Sequence, residues 1–249
     1  WEVEQRRMLA LVHAVLQEDV RELDGGWEPV LFEAEMKGAL PFSLEESDDV
    51  VALHGRVDRV DWSRATQSYR VIDYKVKLSS EQKAVDKNLR LAAVRGQRLQ
   101  PPLYLLMAQA TVPPLLDARA NNATLSCEGV WFYYLAPAWE RPLTRERFPG
   151  DAWVSDLSRP LEQTFRVLLQ GIHHGQFLVN PSEACEACEY RGICRSTHVP
   201  TLARVRSDAA AFSHRALKRT DLPKSPVEGE GGARQSNEKM SRPRKGMPR

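Results

Sequence analysis

Cysteine is scarce in this chain: four residues in 249, three of them within ten positions of one another. So few thiols exclude a disulfide-stapled scaffold, and the clustering reads as metal or cluster ligation instead. Long apolar runs are missing too, and none approaches the roughly 18 residues that a bilayer span requires. No basic stretch followed by an apolar core opens the chain, so no secretory signal is visible, and a cytoplasmic protein is the expectation. There is no internal repeat, and no initiator methionine precedes Trp1, as expected of the C-terminal piece of a longer protein. Nor does charge of one sign dominate, since 35 Lys and Arg meet 33 Asp and Glu for a net +2. The distribution is uneven: Thr201–Arg249 holds 12 basic and 5 acidic residues, a net of +7, which leaves 23 and 28, a net of −5, for the first 200. A mildly acidic body removes charge as an argument for nucleic acid. It does not exclude that substrate, because an active site built of carboxylates lowers the average.

What is present is a globular pattern, 42% hydrophobic and 27% charged, long enough for a sizeable core. Met8, Leu9, Val12, Val15, Leu16, Val20 and Leu23 recur at helical spacing, predicting an amphipathic helix over Val3–Leu23 that Asp24-Gly25-Gly26 ends. Strand-like stretches follow at Pro29–Phe42, Val50–Trp62 and Tyr69–Lys77, the last two joined by a turn at Ser63–Ser68 as a hairpin. Ser79–Leu99 is expected to be partly helical. Pro101-Pro102 starts a helix that Leu103–Ala110 continues, Glu128–Ala136 is β-prone, and Leu157–Gln176 is helical. From about Val205 the chain is rich in Ser, Pro, Gly and charge, and is expected to be mostly disordered. The order of elements implies an α/β fold, a mixed β-sheet flanked by helices, over residues 1–200, with a basic tail over 201–249.

The most informative segment runs from His54 to Lys75, HGRVDRVD, then eleven residues, then DYK. Asp73 and Lys75 lie two apart on a strand and share a face with Tyr69 and Val71. An acid and an ammonium at the end of an apolar strand require a reason. Asp58 sits on the other strand of the hairpin, and two carboxylates converging there can hold Mg²⁺ or Mn²⁺. A lone Asp-x-Lys is otherwise a common surface pair. Gly55 leaves room for a backbone or ligand. His13, at helical spacing from Leu9, Leu16 and Val20, is expected to point inward, where a histidine is more often a core residue than a ligand. Gln100 is expected at a helix cap, because Pro101 disfavours helical geometry before it, with Tyr104 one turn on. Plain packing and capping are the alternative for both. Glu33 and Glu35 share a strand face beside the site, or simply a solvated one. Arg56 and Arg59 pair with acids on the sheet or touch phosphate. Lys83, Lys87, Arg90, Arg95 and Arg98 form a solvated helix face or guide a phosphate backbone. Cys185, Cys188 and Cys194 could wrap zinc or an iron–sulfur cluster. Both need four ligands, and Cys127 reads as a buried strand residue.

The order of these motifs, His, then GRxDRxD, then DYK, then QxxxY, then CxxCx5C, resembles PD-(D/E)xK nucleases of the RecB type over about Met8–Arg195. It is similar to the nuclease domain of AddB-like helicase-nucleases, and the CRISPR-associated exonucleases share the layout. The resemblance implies a restriction-endonuclease-like core and a DNA nuclease, most simply an exonuclease of DNA repair and recombination. It makes His13, Asp58 and Asp73, with the backbone carbonyl of Tyr74, the ligands of Mg²⁺ or Mn²⁺. Lys75 becomes the catalytic lysine, while Gln100 and Tyr104 lie beside the site, helping to hold the DNA strand or the lysine. It further implies a 4Fe–4S cluster on Cys185, Cys188 and Cys194 whose fourth cysteine lies upstream, with His198 as a lesser surrogate. DNA, single-stranded or a duplex end, and a helicase-nuclease partner subunit or N-terminal helicase-like region are the implied partners. Two other readings compete: a catalytically silent DNA-binding scaffold, and a zinc-binding interaction module centred on the cysteines.

Overall fold

The structure, a computed structural model, describes residues 1–44, 50–76, 89–120, 124–135, 143–179, 181, 185–186, 188–209 and 211–223. Helix α1 (Glu2–Asp24) leads into strands β1 (Glu28–Ser43), β2 (Val50–Ser63) and β3 (Ser68–Val76). Helices α2 (Leu89–Val94) and α3 (Gln100–Ala120) separate these from β4 (Ser126–Leu135) and β5 (Thr144–Pro149). Helices α4 (Ser158–His173), α5 (Val199–Ser207) and α6 (Phe212–Leu217) follow. The five strands lie in sequence order, antiparallel except for β3 and β4. That one parallel pair needs a long crossover, and α2 and α3 provide it. The result is the expected mixed sheet flanked by helices.

The central strands are apolar on both faces, as strands covered on both sides should be. In β4, Val130, Phe132 and Tyr134 face the main core with Leu105, Val112 and Leu116 of α3, while Tyr133 and Leu135 face the other way. In β3, Tyr69 and Val71 belong to the main core, whereas Ile72 and Tyr74 join Leu11 and Val15 of α1. Thus α1 covers one face of the sheet and α3 the other.

Helix α3 crosses the β1–β2 hairpin closely. A Cβ on Gly38 would stand 3.0 Å from the Met107 Cα, and one on Gly55 would stand 3.0 Å from the Met107 methyl carbon. The room expected at Gly55 is therefore filled by a thioether. Thr111 of α3 accepts from Lys37 N–H at 3.0 Å and donates to its carbonyl at 2.9 Å, which satisfies one residue of the free edge of β1. Trp153 Nε1 donates to the Pro102 carbonyl at 2.9 Å and ties the first turn of α3 to the chain after β5.

Several expectations are corrected here. Helix α3 continues ten residues past Ala110, through Pro113 and Pro114. Strand β5, TRERFP, gave no apolar alternation because it is an edge strand whose Phe148 alone is fully buried. The stretch from Val205 is expected to be mostly disordered, yet α5 and α6 occupy part of it, and Ala211 and Leu217 are buried. Residues 224–249, most of the expected tail, lie outside the described residues, as do Lys83 and Lys87. Arg95 does not face open solvent: it donates to the Thr220 carbonyl at 2.9 Å and lies 3.3 Å from Asp221. Among the described residues no helix is long and apolar enough to cross a membrane.

The largest correction concerns α1. Of its expected core stripe, Met8, Leu9, Val12, Leu16, Val20 and Leu23 are at least half exposed, and only Val15 packs on the sheet. The helix instead turns an acidic face inward. Arg59 and Arg70, nearly inaccessible on β2 and β3, share Asp61 at 2.5 and 2.9 Å. One carboxylate cannot balance two buried guanidinium groups, and an uncompensated buried charge is costly. Asp19 answers Arg59 at 2.5 Å, Glu22 answers Arg70 at 2.7 Å, and Glu18 and Glu22 both meet Arg145 of β5. Arg59 thus takes the role of pairing with acids, while Arg56 pairs with Glu33 at 3.3 Å on the exposed surface. Glu33, at φ 46°, turns to that surface pair and not to a metal site.

Candidate active site

The β2–β3 hairpin carries the site at its open end. Pairing runs from Ser63↔Ser68 to Arg59↔Ile72 and stops there, while β3 stays paired with β4 as far as Val76↔Leu135. One more step of the register would set Asp58 directly opposite Asp73. The two strands part instead, and the Asp58 carboxylate takes up the Tyr74 N–H at 2.8 Å. Asp58 is also unpaired in the β1–β2 ladder, opposite Glu33. The parting of the ladder is what turns both carboxylates into a common opening.

Asp73 is the buried member. Its Oδ1 accepts from Gln100 Nε2 at 2.9 Å, and its Oδ2 lies 2.6 Å from Lys75 Nζ in an ion pair that lacks hydrogen-bond geometry. Lys75 Nζ donates to Gln100 Oε1 at 2.9 Å and stands 5.0 Å from the centre of the Phe132 ring. Gln100 Nε2 also donates to the Tyr104 hydroxyl at 2.6 Å. Gln100 is the first residue of α3 and Tyr104 lies one turn on, so one helix terminus presents both side chains to the end of β3. Burial pushes the Asp73 carboxyl above its ordinary range; Lys75 opposes that, and nearby Asp58 adds to it. Tyr104 is likewise pushed up, by burial first and by the charges of Asp73 and Asp58. Two acids crowded into a poorly solvated corner are short of positive charge.

This donor set fits a hard divalent cation. The Asp58 and Asp73 carboxylates offer oxygens only, and Asp73 Oδ2 is buried with no hydrogen bond. Mg²⁺ commonly takes one or two protein carboxylates and completes its shell with water and phosphate. Among the described residues no three His, Cys, Asp or Glu side chains are grouped as a metal site. His13 is the reason the expected trio is not assembled. It is exposed on α1, the helix covering the Ile72 and Tyr74 face, whereas Asp73 and Lys75 lie on the opposite face.

The cysteine loop is not assembled either. Cys185, Cys188 and Cys194, none of them in a disulfide, lie around a short 3₁₀ turn, Glu189–Gly192, and form no such group among the described residues. His198 bonds Thr201 at 2.9 Å. Cys127 is a core strand residue as expected, its thiol pushed up to about 12 by burial.

The α1–sheet ion cluster is the feature that sequence reasoning missed. Its signal was visible: Asp61 and Arg70 interrupt otherwise apolar strands, where a charge needs a partner. Arg70 also lies 4.4 Å over the Trp27 ring, a contact with no short-range signature.

The family model described as the PD-(D/E)XK nuclease superfamily matches residues 1–195. Among solved structures, one described as the crystal structure of SSO0001 is 18% identical, covering 74% of this chain and 66% of that one, just under two thirds, with a TM-score of 0.35. No curated protein matches the chain.

Proposed function

The chain belongs to the PD-(D/E)XK nuclease superfamily, and from that premise we propose that it is a Mg²⁺- or Mn²⁺-dependent deoxyribonuclease that hydrolyses phosphodiester bonds. The observation that carries this reading is the bonded set Asp73, Lys75, Gln100 and Tyr104 beside Asp58. Asp58, Asp73 and the Tyr74 carbonyl would hold the cation. A bound divalent ion lowers the pKa of a coordinated water and stabilises charge on a phosphoryl oxygen. Lys75, fixed between Asp73 and Gln100, donates a hydrogen bond to the attacking water and holds it toward phosphorus. Gln100 keeps the lysine in that position and spreads the Asp73 charge over a second donor. Tyr104, hydrogen-bonded to Gln100, fixes the amide's orientation.

The finer reading is an exonuclease acting on DNA ends in repair and recombination, joined to a helicase-like region or to a partner subunit. It is supported by the order of the motifs from His13 to Cys194. The 4Fe–4S cluster has only the spacing of Cys185, Cys188 and Cys194 in its support, so no step is assigned to it. A second reading, a catalytically silent DNA-binding scaffold, draws on the outward position of His13. End-labelled single- and double-stranded DNA incubated with the chain and Mn²⁺ distinguishes the two. Wild type is expected to shorten the label, and Asp73→Ala and Lys75→Ala to lose about a thousandfold in rate. Wild type as inert as Asp73→Ala would establish the scaffold.

A further inference from the structure

Where the β2–β3 ladder ends, no backbone pair sets the distance between Asp58 and Tyr74. Side chains do it instead. Asp58 Oδ2 accepts the Tyr74 N–H at 2.8 Å, and the Tyr74 hydroxyl accepts from Arg59 Nη1 at 2.9 Å. Arg59 is the residue after Asp58, so the three form a closed ring of one covalent link and two hydrogen bonds.

The guanidinium in that ring is itself held. Arg59 Nε and Nη2 donate to the two Asp61 oxygens at 2.5 and 3.1 Å, and Nη1 also meets Asp19 of α1 at 2.5 Å. Docking α1 requires the pairs with Asp61 and Asp19, because they neutralise the buried cation. The bond to the Tyr74 hydroxyl is not needed for that neutralisation. Its effect falls on Tyr74, whose backbone N–H binds the Asp58 carboxylate.

We propose that Arg59 and the Tyr74 hydroxyl are positioning residues that set the spacing of Asp58 and the Tyr74 carbonyl, and hence the affinity of the site for its divalent cation, with α1 acting as the outer brace through Asp19. The proposal rests on the metal-nuclease reading above. Outer partners that orient metal ligands commonly change affinity by an order of magnitude or more when removed.

The test uses the full chain and Mn²⁺ alone, with bound ion read from the loss of the free Mn²⁺ electron paramagnetic resonance signal, and metal-free melting measured in parallel. Asp73→Ala defines the site. Tyr74→Phe removes one hydroxyl while its ring keeps the edge-on contact with Tyr133, 6.0 Å between centroids. It is expected to weaken binding by about 10-fold with little change in melting. Tyr133→Phe, which alters the other ring of that pair, is expected to bind as wild type. Asp19→Asn probes the same guanidinium independently and is expected to weaken binding in the same direction. Should Tyr74→Phe and Asp19→Asn bind Mn²⁺ like wild type while Asp73→Ala abolishes binding, the brace is wrong and the metal site stands. Should wild type show no binding that Asp73→Ala removes, the metal reading and the brace fall together.

Discussion

At Asp73, burial and function pull in opposite directions. The carboxyl is nearly inaccessible and its pKa is raised, by burial first, against the pull of Lys75. A carboxyl raised above its ordinary 3.8 in the folded state costs stability once it must ionise. The cost is absent below that value and complete once pH passes the folded value. Asp73→Asn is therefore expected to melt above wild type at pH 7, the gap closing toward pH 3, and to abolish the proposed cleavage. Glycine sets a second residue-level constraint. Gly38 lies against the α3 backbone and Gly55 against a mobile thioether end. Gly38→Ala is expected to cost about 2 kcal/mol, measured by urea unfolding, and Gly55→Ala clearly less.

At the scale of elements, α1 is the informative case. Helical periodicity predicted the helix correctly but not the face it buries. Helix amphipathicity assumes that the apolar stripe is what the protein covers. Here two buried arginines claim the acidic stripe instead. Leu16→Glu, on the exposed stripe, is expected to change stability by less than about 0.5 kcal/mol. Val15→Ala, against Ile72 and Tyr133, is expected to cost about 2 kcal/mol. Glu22 carries the pH dependence of this docking. Burial alone would raise its pKa, but Arg70 and Arg145 hold it below the ordinary 4.5. Its contribution is fully present above 4.5 and is lost as pH falls through the lower folded value. Glu22→Gln should therefore cost about 2 kcal/mol at neutral pH and progressively less in acid. The hairpin, by contrast, was legible around its turn. Its two strands, their four-residue connection at Arg64–Gln67 and the common face of Asp73 and Lys75 all follow from period-two alternation and one turn.

At the scale of the whole molecule, the chain after the cysteine loop returns to the core. Leu217 is buried, Leu222 packs on the main cluster, and a Cβ on Gly171 of α4 would meet the His214 ring of α6 at 2.7 Å. A chain ended at Ser207 is expected to lose about 3 kcal/mol of burial, roughly 10 °C in melting temperature for a domain of this size. Unchanged melting would show that α6 is dispensable. Composition could not reveal this return, because the segment is polar on average and only a few of its side chains reach the core.

The amino-acid sequence by itself determined the hairpin, the pairing of Asp73 with Lys75 along one strand face, and the placement of Gln100 and Tyr104 at a helix start. Each of these depends on neighbours within a few residues, where backbone geometry alone sets direction. Only the tertiary structure decided which side of α1 faces the sheet, that His13 lies across the sheet from Asp73, and that β2 and β3 part at Asp58. Those outcomes depend on balancing charges brought together from Asp19, Arg59, Asp61 and Arg70, a sum that no local window of sequence contains.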